Sequence, residues 1–531
     1  MTRLFPGLWF AVGLSPCVWA VDGESPARWF REGRAAVVAA KHAQPVTNRA
    51  KNIILFIGDG MGVSTVTAAR ILDGQRRGQP GEENLLAFET LPYSALIKTY
   101  NTDQQTSDSA GTISAIVTGI KTRAGVLSVN QNVIRGDHES AKGNEVTTIF
   151  ELAEQAGLST GIVTTARVTH ATSAACYAHS PERTWETDGA LTEQARRAGF
   201  ADIARQLIDF PFGDGIDVVL GGGRRAFFPQ AWVDPEYPTK KGQRLDGRDL
   251  TRAWLERPRA EYVWNKAQFD KIDTAATDRL LGLFEWSHMQ YEHDRAGDSA
   301  GEPSLAEMTA KAIELLKRNP KGFILMVEGG RIDHGHHACN AYRALTDTIA
   351  FSDAVRLAKK KTDRCDTLMV VTADHSHVFT IGGYATRGNP ILGEVIRNDW
   401  RGDKAPQAAR DSIGKTYTTL AYANGPGYTG KSSSQPAGAK KYPHESPRGV
   451  SAAWYQGIRG GRPDLSDVDT EGPEYLQEAA VPLQWETHGG EDVPLYADGP
   501  SAHLFHGVLE QNVIFHVMVD ALGLTAPEPS D

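Results

Sequence analysis

NIILFIGDGMG, residues 52–62, is a short apolar run that ends in a glycine-rich turn carrying one carboxylate, Asp59. An apolar run of this length is typical of a strand that is covered on both faces of a sheet. Similar β-rich runs follow at residues 159–165, 216–220, 322–327 and 367–372. Helix-compatible stretches lie at residues 26–42, 147–156, 305–318 and 340–361. The alternation predicts an α/β sandwich with a mostly parallel central sheet.

Composition bounds the domain organisation. The chain has 531 residues, 40% hydrophobic and 23% charged, which is an ordinary globular balance. Residues 1–20 are predicted to be a secretory signal peptide, because a basic residue precedes an apolar run and a small-residue cleavage site. Residues 385–483 contain much Gly, Pro, Ser and Lys and little periodicity, which predicts a surface insertion. Residues 21–384 and 484–531 then form the α/β domain that carries the candidate catalytic residues.

The predicted signal peptide and the lack of a later apolar run predict an exported, soluble protein. The 56 basic and 65 acidic residues give a net charge of −9, which argues against a nucleic-acid-binding module. Beyond the signal peptide, no run supplies the roughly 18 apolar residues that a membrane span needs. We therefore expect a periplasmic or secreted protein. Three cysteines remain after signal removal, Cys176, Cys339 and Cys365, and they cannot all pair within one chain.

Residue types that bind metals recur just past the C-terminal ends of the predicted strands. They are Asp59 after the first run, Glu328, Asp333 and His337 after 322–327, and Asp374 and His375 after 367–372. Ligands bind at this edge in open α/β sheets. Asp333 and His337 share one helix face if a helix starts after the Gly-Gly turn. Each pair alone could be an ordinary surface pair, so the hypothesis depends on their convergence.

The donor types indicate which cations they would bind. Imidazole with carboxylate favours zinc, whereas an all-oxygen set such as Asp59, Thr172 and Glu328 favours magnesium. Ser109 precedes a helix-compatible run at residues 113–117, so it could simply cap that helix. The competing interpretation is a nucleophile whose phosphoryl ester faces the positive helix end.

Six strings together resemble the alkaline phosphatase family. They are GDGMG at 58–62, SDSAGT at 107–112, THATSAA at 169–175, VEGGRIDHGHH at 327–337, TADHSH at 372–377 and ETHGGEDV at 486–493. The resemblance runs from about residue 52 to 523 and is greatest to animal-type members, although the signal peptide favours an exported bacterial protein. It implies an α/β/α sandwich with residues 385–483 as a crown-like insertion, and a homodimer to which residues 26–42 could contribute.

The resemblance implies a phosphate monoester hydrolase of broad substrate range that forms a phosphoserine on Ser109 and is inhibited by inorganic phosphate. Arg183 matches the guanidinium that binds the phosphoryl oxygens. The implied ligands are Asp333, His337 and His488 for one Zn²⁺, Asp59, Asp374 and His375 for a second Zn²⁺, and Asp59, Thr172 and Glu328 for Mg²⁺. Two cations about 4 Å apart can hold the entering and leaving oxygens of an in-line displacement.

Some implied roles have explicit alternatives. His170 and His334 either orient metal-bound water or merely pack beside the ligands. A peripheral Ca²⁺ site is implied at Glu236, the carbonyl of Phe284, Glu285 and Glu302, for which a surface acidic cluster is the alternative. The rival functions are a phosphodiesterase or sulfatase of the same superfamily, and a noncatalytic phosphate- or metal-binding protein.

Overall fold

The computed structural model describes residues 25–42, 44–444 and 461–528, so the predicted signal peptide at 1–20 lies outside the described residues. The chain divides into two compact units, Met1–Gln44 and Pro45–Asp531. In the first unit, the predicted helix is present as α1 (Pro26–His42). The second unit contains the sheet and all the candidate site residues.

The second unit alternates strands and helices along the chain. Its strands are β1 (Asn52–Gly58), β2 (Tyr93–Lys98), β3 (Ser159–Arg167), β4 (Val218–Gly222), β5 (Ala260–Val263), β6 (Arg279–Leu283), β7 (Phe323–Gly329), β8 (Thr367–Ala373), β9 (Ser376–His377), β10 (Phe379–Ile381), β11 (Leu420–Gly425), β12 (Lys440–Lys441), β13 (Tyr475–Leu476), β14 (Ala479–Pro482), β15 (His488–Gly489), β16 (Val493–Asp498) and β17 (Val508–Glu510). Its helices are α2 (Val63–Arg76), α3 (Ser109–Thr118), α4 (His138–Ala141), α5 (Ile149–Ala156), α6 (Ala171–Ala174), α7 (Glu193–Arg197), α8 (Ile203–Ile208), α9 (Leu250–Leu255), α10 (Lys266–Asp270), α11 (Leu305–Leu316), α12 (Arg331–His337), α13 (Ala341–Lys361) and α14 (Val513–Leu522).

Ten strands form the central sheet, in the order β17-β2-β16-β8-β1-β7-β3-β4-β6-β5. All pairings are parallel except those of β16, which runs antiparallel to β2 and to β8. Strands β1, β7 and β8 are buried along their whole length, as continuous apolar strands should be. The predicted mostly parallel sheet is confirmed.

The register of the three central strands places their C-terminal ends side by side. Ile57 of β1 lies opposite Glu328 of β7 on one side and opposite Thr372 of β8 on the other. The residues that follow these positions, Asp59 and Asp374, therefore leave the sheet at the same edge. This edge is where ligands are expected in an open α/β sheet.

Residues 385–483 contribute strands to two small sheets outside the central one, of which the first also includes the preceding strand β10. Strands β10, β11 and β14 form a three-stranded sheet, and β12 pairs with β13. Residues 445–460 lie outside the described part of the chain. The boundaries of this insertion as a crown-like domain stay a prediction.

Two further sequence expectations concern thiols and membranes. Cys176 and Cys339 are buried and Cys365 is exposed, and none of these three forms a disulfide within the described residues. Among the helices that the structure describes, none combines the length and the apolar character required to cross a bilayer.

Candidate active site

The turn after β1 brings Asp59 against the loop after β8. The backbone amide of Gly60 donates to Oδ1 of Asp374 at 3.0 Å. Gly60 has a φ of 69°, and a Cβ at this position would lie 2.3 Å from Nε2 of His377. Only glycine fits both the left-handed backbone and this close approach. The glycine-rich turn therefore allows two carboxylates and a histidine to converge.

The first cation cluster consists of Asp333, His337 and His488. Helix α12 begins at Arg331, as predicted, so Asp333 and His337 lie one turn apart with 3.2 Å between Oδ1 and Nε2. His488 Nε2 lies 3.5 Å from the same carboxylate oxygen and 3.3 Å from His337 Nε2. Ligand atoms bound to one tetrahedral Zn²⁺ at about 2.0–2.1 Å lie about 3.3 Å apart. The three side chains fit a shared zinc ion.

The second cluster consists of Asp59, Asp374 and His375. His375 Nε2 lies 3.3 Å from Asp59 Oδ1 and 3.4 Å from Asp374 Oδ2. Both oxygens of Asp59 and Oδ2 of Asp374 are buried and have no hydrogen-bond partner among the described residues. Buried carboxylate oxygens are rarely left without partners unless an ion binds them. This donor set also fits a zinc ion.

A third cluster lies on the other side of Asp59. The carboxylates of Asp59 and Glu328 and a ring nitrogen of His170 lie within 4.8 Å of one another. Glu328 Oε2 accepts from the Ser173 hydroxyl at 3.2 Å, whereas Oε1 is without a hydrogen-bond partner in the described part of the chain. Thr172 is buried beside Glu328, where burial raises the pKa of that carboxyl and the Thr164 and Thr172 hydroxyls partly oppose the rise. The oxygen-rich set suits a hard cation.

The concentration of carboxylates has an electrostatic cost that cations would remove. Burial, followed by repulsion from Asp374, Asp333 and Glu328, raises the pKa of Asp59 well above its ordinary value. Burial also raises the pKa of Asp374 to about 6 and that of Glu328 to about 7. Burial lowers the pKa of His375 well below its ordinary value, which keeps the imidazole in the neutral form that binds metals.

Ser109 occupies the first position of α3, next to the second cluster. Its Oγ lies 3.1 Å from Nε2 of His375. The preceding residue, Asp108, caps the helix by accepting from the amide of Gly111 at 3.0 Å. Thus Asp108 is the cap, and the hydroxyl of Ser109 points into the donor cluster.

Arg183 completes this side of the site. Its guanidinium donates to Oδ2 of Asp108 at 3.0 Å, and a second nitrogen lies 3.3 Å from Nε2 of His170. Burial raises the pKa of Asp108, but the charge of Arg183 and two backbone amides lower it to below its ordinary value. A charged Asp108 therefore orients the guanidinium beside Ser109.

Two residues that sequence reasoning gave no role support the first cluster. His377 Nε2 lies 3.0 Å from Asp333 Oδ1, and its Nδ1 contacts Glu486 Oε2. Burial lowers the pKa of His377, but Glu486 and Asp333 outweigh it and raise that pKa to about 10. His377 therefore donates to Asp333 and fixes its orientation. The only sequence signal was its position two residues after His375.

His170 and His334 have a third histidine beside them. The ring centroid of His288 lies 4.1 Å from that of His334 and 5.4 Å from that of His170. His288 also contacts the guanidinium of Arg167. Sequence reasoning missed His288, since nothing in its local context separates it from an ordinary loop histidine. The contacts leave both roles of His170 and His334 open.

Two of the four predicted calcium residues belong to a separate acidic cluster. Carboxylate oxygens of Glu236, Glu285 and Asp298 lie within 4.8 Å of one another. Asp298 was not predicted; burial and then Glu236 raise its pKa to about 7. Glu302 lies outside this group of three, but burial, then Glu285 and Asp298, raise its pKa. Phe284 directly precedes Glu285 and packs on Phe269, with ring centroids 5.6 Å apart.

Comparisons with known proteins point to one family. The family model described as alkaline phosphatase matches residues 50–524. The tissue-nonspecific alkaline phosphatase of Gallus gallus is 48% identical over 482 residues, which cover 89% of this chain and 85% of that protein. The corresponding Homo sapiens isozyme is 45% identical over 497 residues, which cover 91% of this chain and 87% of that protein.

Solved structures share the architecture. The alkaline phosphatase of Thermus thermophilus matches with a TM-score of 0.62 and 26% identity, over 92% of this chain and 95% of that one. The alkaline phosphatase of the Antarctic bacterium TAB5 has the same fold, with a TM-score of 0.56 and 21% identity, over 90% of this chain and 99% of that one. Since the family model and relatives near half identity both span most of the sequence, this chain belongs to the alkaline phosphatase family.

Proposed function

We propose that this protein is a metal-dependent phosphate monoester hydrolase that transfers the phosphoryl group to Ser109 and accepts a broad range of leaving groups. The single observation that carries the proposal is the position of the Ser109 hydroxyl. It lies at a helix N-terminus, 3.1 Å from a nitrogen of the second cluster. A structural capping serine would instead bond its own helix, and here Asp108 does so.

The donor sets favour two Zn²⁺ and one Mg²⁺. Asp333, His337 and His488 would hold the first Zn²⁺, and Asp374 and His375 would hold the second together with Asp59. Thr172 and Glu328 would hold the Mg²⁺, also together with Asp59. When bound, these cations supply Lewis-acid stabilisation of the oxygens that gain charge during phosphoryl transfer. Asp59 would have one oxygen available for each of these two sites, because both of its oxygens are free of hydrogen bonds in the described chain.

Ser109, Arg183 and Asp108 each have a role in the transfer of the phosphoryl group. The hydroxyl proton of Ser109 passes to water, and the bond from Oγ to phosphorus forms as the ester bond to the leaving oxygen breaks. The leaving oxygen takes up a proton from water, so the leaving group departs as an alcohol. Arg183 binds two nonbridging oxygens in a fork geometry, and Asp108 orients it. Water then cleaves the bond between Oγ and phosphorus, which regenerates Ser109 and releases inorganic phosphate. Phosphate offers the same oxygens as the substrate, so we expect it to inhibit.

A phosphodiesterase or sulfatase is the rival activity. Arg183 and the third cluster favour a terminal phosphoryl group with three unesterified oxygens. We expect p-nitrophenyl phosphate to be hydrolysed far faster than bis(p-nitrophenyl) phosphate or p-nitrophenyl sulfate. A preference for the diester or the sulfate would overturn the assignment.

A noncatalytic phosphate- or metal-binding protein is the second rival. Ser109→Ala should abolish covalent labelling by a phosphate donor while the zinc content measured by elemental analysis stays near wild type. Labelling that persists in Ser109→Ala would refute the nucleophile assignment. Asp374→Ala is the matched variant at the second cluster, and it should lose zinc as well as labelling.

The proposal also covers the location, the oligomeric state and a peripheral calcium site. The signal-like segment favours a periplasmic or secreted protein, and the family resemblance favours a homodimer with residues 26–42 at the interface. The acidic cluster of Glu236, Glu285 and Asp298 supports a peripheral Ca²⁺ site, with Glu302 and the Phe284 carbonyl as further donors. Size measurement of the mature protein and calcium analysis would test these two points.

A further inference from the structure

Arg183 lies at the end of residues 179–183, a segment of the connection between α6 and α7. A neighbouring loop holds this segment along its length. Ser180 pairs with Leu127 through two backbone hydrogen bonds of 2.8 and 3.0 Å, and the amide of Arg183 donates to the carbonyl of Gly125 at 2.9 Å. The direction of the Arg183 guanidinium therefore depends on how firmly the loop and the segment are held together.

Ser128, in the neighbouring loop, has a strained backbone. Its φ is 48°, in the left-handed region that residues other than glycine rarely adopt, and the residue is fully buried. Its amide donates to Oγ of Ser114 in α3 at 2.9 Å, and its hydroxyl donates to the carbonyl of Ala175, directly after α6, at 2.6 Å. Strain of this kind persists only where surrounding contacts fix the backbone, and it clusters at functional sites. Ser128 thus has a fixed position relative to α3, the helix that begins with Ser109.

The ring of His179 links Ser128 to the segment that carries Arg183. Its Nδ1 donates to the carbonyl of Ser128 at 2.7 Å, and its Nε2 donates to Oε1 of Glu151 at 2.7 Å. A carbonyl and a carboxylate only accept, so both ring nitrogens carry protons and the ring is charged. Burial lowers the pKa of His179, but Glu151 outweighs burial and raises it. Glu151 is itself fixed, because its Oε2 accepts from the amide of Thr148 at 3.0 Å in the capping box of α5.

We infer that His179 is a positioning residue for the guanidinium of Arg183. The inference rests on the proposed function, in which Arg183 binds two phosphoryl oxygens beside Ser109. The ring of His179 holds the start of the 179–183 segment against Ser128, and Ser128 is bonded to the helix that begins with Ser109. The nucleophile and the guanidinium therefore keep their separation before the substrate binds, and such placement is worth a large factor in rate. His179 acts through Arg183 and does not contact the phosphoryl group.

A double-mutant cycle with p-nitrophenyl phosphate tests this role. His179→Leu removes both ring bonds and should lower kcat/KM about tenfold, because the guanidinium is less well placed. In an Arg183→Ala background the same substitution should lower kcat/KM by less than about twofold, because the group that it positions is absent. His179→Gln retains one donor and should give an intermediate loss that also disappears in that background. It decides the question if His179→Leu does not fold.

His503→Leu is the matched control, because His503 is a half-buried histidine that packs on Tyr93 of β2, with ring centroids 6.4 Å apart. It should leave kcat/KM unchanged in both backgrounds, and zinc content should be equal in all folded variants. The same fold loss with and without Arg183 would show a general structural role and overturn the inference, as would an unchanged kcat/KM in the folded His179 variants. Failure of wild type to hydrolyse the monoester would instead overturn the proposed function, and this inference with it.

Discussion

Replacement of Glu154 by glutamine is expected to stabilise the protein at pH 9 and to change its stability little at pH 5. Glu154 lies in the last turn of α5 and is 2% exposed. Burial, followed by repulsion from Asp217 and Asp214, raises its pKa to about 8, although the Thr160 hydroxyl donates to it at 2.6 Å. Its charged form is therefore unfavourable in the folded protein.

The sign and size of the effect follow from proton linkage. A carboxyl whose pKa is higher in the folded than in the unfolded protein binds its proton more tightly when folded. Its contribution to stability is fully present below the ordinary value of 4.5 and is lost as the pH rises to about 8. This interval, at about 1.36 kcal/mol per pH unit, sets a ceiling of about 5 kcal/mol. Because water can approach the ionised group, we expect on the order of 2 kcal/mol at pH 9.

Urea unfolding followed by tryptophan fluorescence at pH 5, 7 and 9 measures this effect. The difference in unfolding free energy between Glu154→Gln and wild type should grow as the pH rises. Glu193→Gln is the matched control, because the Glu193 side chain is 71% exposed on a helix. If the curves of Glu154→Gln and wild type run parallel from pH 5 to pH 9, the reasoning about this buried carboxyl is wrong.

Three further perturbations address the functional sites. His377→Ala should weaken zinc binding about tenfold to a hundredfold, since Asp333 loses the donor that orients it; zinc retained against a chelator measures this, and unchanged retention would contradict it. Arg183→Lys should lower kcat/KM for a monoester by about tenfold or more, because a fork-shaped, charge-assisted contact is lost. Steady-state kinetics measures this, and an unchanged kcat/KM would contradict it. Asp298→Asn should reduce the rise in melting temperature that calcium produces, and an undiminished rise would exclude Asp298 as a ligand.

Local sequence signals predicted most of the strands and helices, because the start and type of such an element depend largely on residues next to each other in the chain. The run at 52–57 became β1, and the helix expected after the Gly-Gly turn became α12. The helix predicted from residue 147 begins at Ile149, since Thr148 and Glu151 form a capping box ahead of the first turn.

The strand predicted at residues 216–220 begins two residues later, at Val218. A tertiary contact lies at this boundary: the carboxylate of Asp217 accepts from the amide of Thr160 at 3.0 Å. This bond adds to the backbone bonds of Asp217, whose amide donates to the Thr160 carbonyl at 3.1 Å and whose carbonyl accepts from the Leu280 amide at 2.8 Å. Local propensity could not predict it, because the partner lies on another strand.

The residues to which the sequence gave no role are those that act through contacts with remote parts of the chain. His377 and Glu486 are 109 positions apart, yet their side chains touch. Asp298 joins Glu236 and Glu285 only because its loop folds back on them. No local pattern encodes such contacts.

The sequence by itself determined the alternation of strands and helices and the supply of carboxylates and imidazoles at strand ends, because both depend on short-range order along the chain. Only the tertiary structure decided which donors share a cation position and which way Ser109 and Arg183 face. Ligand atoms must come within about 3.3 Å of one another to share a zinc ion. Such distances between remote residues are set by strand register and by the turns after the strands.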